Sequence, residues 1–74
     1  MPDIETFIAN FQTAVDFQDP VEIRADTRLT DLQEWDSLAA LATIVMFDME
    51  YGKAITGHHL KACATISDLF ALAA

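Results

Sequence analysis

Near the start of the chain, apolar residues recur at helical spacing: Ile4, Phe7, Ile8, Phe11 and Val15 fall on one face, with Glu5, Thr6, Asn10, Gln12, Thr13 and Asp16 on the other. That period predicts an amphipathic helix giving one stripe to a core, capped by Asp3 and running to about Phe17. Gln18-Asp19-Pro20 closes it, because proline has no N–H to donate and biases the residue before it away from the α region. From there to Asp36 the apolar residues thin to Val21, Ile23, Leu29 and Leu32. Their even scatter predicts a long connection pinned across a bundle, with one short helical turn. Arg24 and Arg28 interrupt its acidity as local charge partners.

At Glu34-Trp35-Asp36-Ser37-Leu38 the pattern changes. An acidic first half hands over to Leu38–Phe47, where Thr43 is the one polar residue. Asp36 or Ser37 is placed to cap a helix that reaches about Tyr51, since either side chain can accept from a free first-turn N–H. So small a domain cannot bury this helix all round. Ala40, Ile44, Phe47 and Tyr51, with Thr43 at the edge, are assigned to the core. Leu38, Leu41, Ala42, Val45 and Met49 are then left exposed beside Ser37. Contiguous exposed apolar surface marks a contact site, for a partner or for a second copy of the chain.

Gly52 follows as a helix C-cap, where a residue without Cβ turns left-handed at little cost. Ile55 anchors the next loop. Thr56 or Gly57 opens a short helix over His58 to Cys63, with Leu60 and Cys63 on one side. Thr65 caps a last helix through Ile66, Leu69, Phe70 and Leu72. Three main helices, one short helix and a long first connection predict an all-α four-helix bundle, one domain over residues 1–74. Trp35 is placed to staple the start of the second main helix, or to frame the base of a group carried at that helix start, and the two roles can coexist.

Charge narrows the partners. Four Lys and Arg stand against twelve Asp and Glu, a formal net charge of -8. That balance argues against nucleic acid or an anionic membrane and for basic protein surfaces. Nine of the acids precede Ser37, leaving Asp48, Glu50 and Asp68 after it. Cys63 is the one cysteine, so no intrachain disulfide can form and a reducing cytoplasm suits the chain. The N-terminal residues have no basic segment leading into an apolar one, and Leu38–Phe47 is too short to cross a bilayer. His58 and His59 are adjacent, point in different directions on a helix and have no further ligand at metal spacing, so no metal site is expected.

The order Asp26-Thr27-Arg28-Leu29, Leu32, Asp36-Ser37-Leu38, Glu50-Tyr51-Gly52, Ile55 and Thr65-Ile66-Ser67-Asp68-Leu69 resembles the acyl carrier protein family, in its discrete single-domain form, over nearly the whole chain. The resemblance implies that Ser37, flanked by Asp36 and Leu38, carries a 4'-phosphopantetheine arm derived from coenzyme A. It further implies a monomer that serves a phosphopantetheinyl transferase and then acyl- or aminoacyl-loading and acyl-transfer enzymes. Leu38, Leu41, Ala42, Val45, Asp48 and Met49 would meet those partners. Ile44, Phe47, Leu60 and Cys63 would line the space for a folded-back acyl chain, narrowed by Phe47.

The chain departs from that pattern on the second main helix. Carriers of fatty-acid synthesis place acids two and five residues after the serine, where this chain has Ala39 and Ala42. Docking beside Ser37 should therefore lean on apolar contact. Trp-Asp-Ser-Leu is closer in form to discrete carriers of specialised bacterial pathways, such as surface polysaccharide or secondary-metabolite assembly. An aminoacyl, peptidyl or D-alanyl carrier is the alternative within the class, and an unmodified helical interaction module the alternative outside it. A serine enzyme would need a base and an oxyanion hole. No Gly-x-Ser-x-Gly elbow, phosphate loop or ligand cluster supplies them, so no catalysis by the chain itself is expected.

Overall fold

The computed structural model describes residues 3–19 and 21–73. The stop assigned to Pro20 lies outside those residues. Four helices follow in order: α1 (Ile4–Val15), α2 (Ser37–Tyr51), α3 (Gly57–Lys61) and α4 (Ile66–Ala73), with a 3-10 turn at Leu29–Asp31 in the long first connection. The fold is all-helical, a small bundle in which α1 packs on α2 and α4, and α3 on α2.

Asp3 caps α1 by accepting the Thr6 N–H at 2.7 Å. The helix stops at Val15, two residues short of the expected Phe17. Asp16 turns left-handed at φ 45° and returns its N–H to Gln12, a conformation aspartate tolerates better than bulkier residues. Phe7 and Phe11 are wholly buried. Phe7 is the hub of an aromatic cluster, its ring centroid 5.6 Å from Phe47, 5.8 Å from Tyr51 and 5.6 Å from Phe70. Tilted and edge-on rings at such spacing add to the area that they remove from water.

On α2 the buried face is rotated from the expected one. Ala39, Thr43, Met46 and Phe47 are buried, while Ala40, Ile44 and Tyr51 lie half-buried on its flank. Thr43 therefore sits in the centre of the core and not at its edge. Its hydroxyl donates to the Ala39 carbonyl at 2.8 Å within the same helix, so this buried hydroxyl is not left unpaired. A nearly uniform apolar helix carries no preferred face of its own. The choice falls to what packs against it. Gly52 ends α2 at φ 63°, its N–H on the Asp48 carbonyl at 3.1 Å and that of Lys53 on Phe47 at 3.0 Å.

The long connection is pinned through Ile23, Leu29 and Leu32, all buried. Val21 is 48% exposed and anchors nothing, contrary to expectation. Backbone bonds carry more of the tie than the apolar residues alone predict. Leu29 donates to Ala64 at 3.0 Å, Ile66 to Thr27 at 3.0 Å and Ser67 to Ala25 at 2.8 Å, lashing the connection to the start of α4. At its other end the Glu34 carboxylate accepts from the Gln18 and Asp19 N–H groups, both at 2.9 Å. Glu34→Ala should lose two charge-assisted bonds and cost about 1–2 kcal/mol, a melting temperature lower by about 5–10 °C. An unchanged melt would show that this clamp does not hold the loop. Arg24 pairs with Glu22 at 3.0 Å in the open, the one ion pair among the described residues, so Arg28 lacks the charge partner expected for it.

Helix α3 ends at Lys61, so Cys63 falls in the turn beyond it. Thr56 donates its N–H to His59 Nδ1 at 3.0 Å, giving that ring a capping role that its position beside His58 did not signal. At the start of α4, Asp68 accepts from the Ala64 N–H at 2.9 Å and the Thr65 N–H at 3.1 Å, while the Thr65 hydroxyl accepts from Asp68 N–H at 3.2 Å. The Ala64 and Thr65 donors, with the Thr65 hydroxyl, hold the Asp68 carboxyl below its ordinary value, and the Thr6 N–H does the same for Asp3. In acid the unfolded chain then binds more protons than the folded one. Stability supplied by both groups should be complete above about pH 5 and be lost as pH falls through the unfolded and then the folded values. Comparing melts of the wild type and Asp68→Asn from neutral to acid pH tests this. Equal acid slopes would exclude Asp68.

Candidate functional site

Asp36 takes the cap of α2. Its extended backbone directs Oδ1 to the Ala39 N–H at 2.9 Å, and its carbonyl accepts from Ala40 N–H at 2.9 Å. The choice between Asp36 and Ser37 is thereby settled, and Ser37 becomes the first helical residue. It is exposed. Its hydroxyl is not needed to hold the helix start, and it stands at the end of a helix whose first-turn N–H groups favour negative charge.

Three concave surfaces adjoin this position, one of them a hollow of about 450 Å³ between Asp36, Leu38 and Ala39 and the residues just after α1, with the acids Asp16, Glu34 and Asp36 on its lining. Against α1 lies an apolar groove of about 530 Å³, whose α2 wall is Leu38, Leu41, Ala42, Val45, Met46 and Met49 and whose α1 wall is Asn10, Thr13 and Ala14. Leu38 is 77% and Met49 75% exposed, with Leu41 and Val45 near half. Asp48 is exposed, and Glu50 joins the groove at its far end.

The third surface is a cleft of about 270 Å³ lined by Trp35, Asp36, Ser37, Ala40, Gly57, Leu60 and Lys61. It brings the start of α2 against α3. Trp35 is half-buried, its ring centroid 6.0 Å from Phe11, and shares the cleft with Ala40 one turn into α2, the positions of a hydrophobic staple. Lys61 and Gly57 were not among the residues expected here. Lys61 carried no sequence signal, because only the folding of α3 onto α2 brings it to Ser37.

The four acyl-space candidates all belong to the one hydrophobic core, Phe47 and Leu60 buried in it and Ile44 and Cys63 packed against it. Leu60 lines the cleft. Phe47 is wholly buried in the aromatic cluster, and Ile44 and Cys63 are half-buried against the core. The Cys63 thiol donates to the His59 carbonyl at 3.3 Å. Burial, and then the nearby Asp68 carboxylate, push its pKa up, so at neutral pH it stays a protonated thiol and a poor nucleophile.

Among the described residues no group of three His, Cys, Asp or Glu is arranged to hold a metal ion, and no helix is long and apolar enough to cross a membrane. Comparison with protein-family models, with curated proteins and with solved structures finds no match for this chain.

Proposed function

We propose that this protein is an acyl carrier of a specialised biosynthetic pathway, bearing a 4'-phosphopantetheine arm on Ser37 and presenting its cargo to partner enzymes without catalysing a reaction itself. The observation that carries the reading is that Asp36 caps α2 in place of Ser37, which leaves an exposed serine hydroxyl at a helix start. The residues around it fit the group. Ser37 supplies the oxygen for the phosphodiester, and the cleft beside it offers one cation, Lys61, and an apolar wall of Trp35 and Leu60.

When attached, the arm supplies a thiol that carries an acyl group as a thioester. The chain's own residues supply position. Ser37 is fixed by the first turn of α2, and the exposed Leu38, Leu41, Val45 and Met49 lie where an enzyme must sit to reach it. Tethering then gives the cargo a high effective concentration at each docked active site. Ala39 is buried and Ala42 lines the groove, so docking next to Ser37 rests on apolar contact, with Asp48 as an outlying charge.

Intact-mass measurement after incubation with coenzyme A, magnesium and a broad-specificity phosphopantetheinyl transferase tests the proposal. One added arm is expected. A folded chain that gains none would overturn it. Competing acyl and aminoacyl donors on the loaded protein would then separate an acyl from an aminoacyl carrier.

The exposed face of α2 also favours a second reading, an unmodified interaction module. Under the carrier reading, Leu41→Asp and Val45→Asp should fold as the wild type and slow loading by the transferase. Were that module the whole function, both variants would lose partner binding while Ser37→Ala kept it.

A further inference from the structure

The cleft between the start of α2 and α3 does more than flank Ser37. Trp35 and Leu60 give it an apolar wall, and Lys61 gives it a cation. The chain has four basic residues against twelve acidic ones, and after Ser37 the basic ones are Lys53 and Lys61 alone. A phosphodiester on Ser37 would add negative charge beside the exposed Asp36 carboxylate, on a chain already at -8. Left in the open, that group would be repelled by its surroundings. Lys61 is the basic side chain on the cleft that Ser37 opens into.

We propose that Lys61 and the Trp35–Leu60 wall form a seat for the root of the arm, with the Lys61 ammonium paired to the phosphodiester on Ser37 and the adjoining chain laid along Trp35. The inference rests on the carrier reading and adds to it a resting position for the arm. Lysine suits the task as a flexible point charge that can follow a phosphate without fixing it. Asp36, Ser37, Ala40 and Gly57 complete the lining of this cleft of about 270 Å³, and the seat concerns the phosphodiester end of the arm alone.

Trp35 is the one tryptophan of the chain, so its fluorescence reports this cleft directly. The experiment compares the unloaded and loaded protein by acrylamide quenching of Trp35 and by phosphorus NMR of the loaded form, at low and moderate salt. Loading should protect Trp35 from quenching, and salt should reverse the protection in the wild type without any substitution. Lys61→Gln should shift the seated-to-free ratio about two- to fivefold toward free, the range of an exposed ion pair. Lys61→Arg should restore it, and Lys53→Gln should leave it unchanged.

A loaded protein in which quenching and the phosphorus signal are the same in the wild type and Lys61→Gln would overturn the seat and leave the carrier reading standing. Protection lost equally in Lys53→Gln would also overturn it, as a general charge effect. A Ser37 that the transferase leaves unmodified, as judged by intact mass, would instead refute the carrier reading and this inference with it.

Discussion

Ser37→Ala is expected to take up no phosphopantetheine at all while folding as well as the wild type. The loss is complete because the phosphodiester needs the serine oxygen. The stability is unchanged because Asp36 holds the helix start: its carboxylate accepts from Ala39 N–H at 2.9 Å, and alanine is a better helix former than serine at the position it replaces. A surface change of this kind should move stability by no more than about 0.5 kcal/mol. Intact mass after transferase treatment reads the first half of the prediction, and a thermal melt the second. A variant that still accepted the arm would place the modification elsewhere. One that lost a cap's worth of stability, about 1 kcal/mol, would return Ser37 to a purely structural role.

Phe47→Ala should unfold the domain under conditions in which the wild type is stable. Phe47 is 0% exposed, with its ring 5.6 Å from Phe7 and 6.0 Å from Tyr51, so truncation removes two aromatic contacts and opens a cavity where α1 meets α2. Losing a buried phenylalanine costs about 3–5 kcal/mol. A chain of 74 residues has about 4–11 kcal/mol in total to lose. The melting temperature should fall by about 15 °C or more. Met49→Ala, on the same helix but 75% exposed, should leave the melt nearly unchanged. If the two variants melted alike, the face of α2 that packs on α1 would have to be reassigned.

The caps were the most legible features of the chain. Asp3, Gly52 and the Thr65-Ile66-Ser67-Asp68 start of α4 act through bonds to backbone groups three or four residues away, so the local spelling is enough to read them. The exposed apolar stripe was legible for a related reason: a helix with one polar residue in ten must leave apolar surface outside in a domain this small. The exact burial of α2 was not. Ala39 and Ala40 offer a core the same side chain, and polarity alone would have buried Ile44 before Thr43; the rotation that buries Ala39 and Thr43 instead is a matter of how α2 packs against Phe7 and its neighbours, with the Thr43 hydroxyl satisfied within its own helix.

Long-range polar contacts were equally hidden. Nothing near Glu34 in the sequence announces that its carboxylate will accept from Gln18 and Asp19, or that Asn10 will donate to the Tyr51 hydroxyl at 3.1 Å. The cleft at Ser37 belongs with these. Trp35 and Lys61 come from opposite ends of the α2–α3 segment, and neither points to the other until α3 folds back.

By itself, then, the sequence determined the four helices to within two residues at their ends, the caps Asp3 and Gly52, the acidity of the surface, and the placing of Ser37 at the head of the longest apolar run. These follow from interactions that act within one helical turn. Only the tertiary structure decided which face of α2 is buried, how the long connection is lashed to α4, and that a tryptophan, a leucine and a lysine gather around Ser37. Those outcomes are set by the packing of side chains far apart along the chain, a quantity that depends on the partner across the interface and has no local spelling.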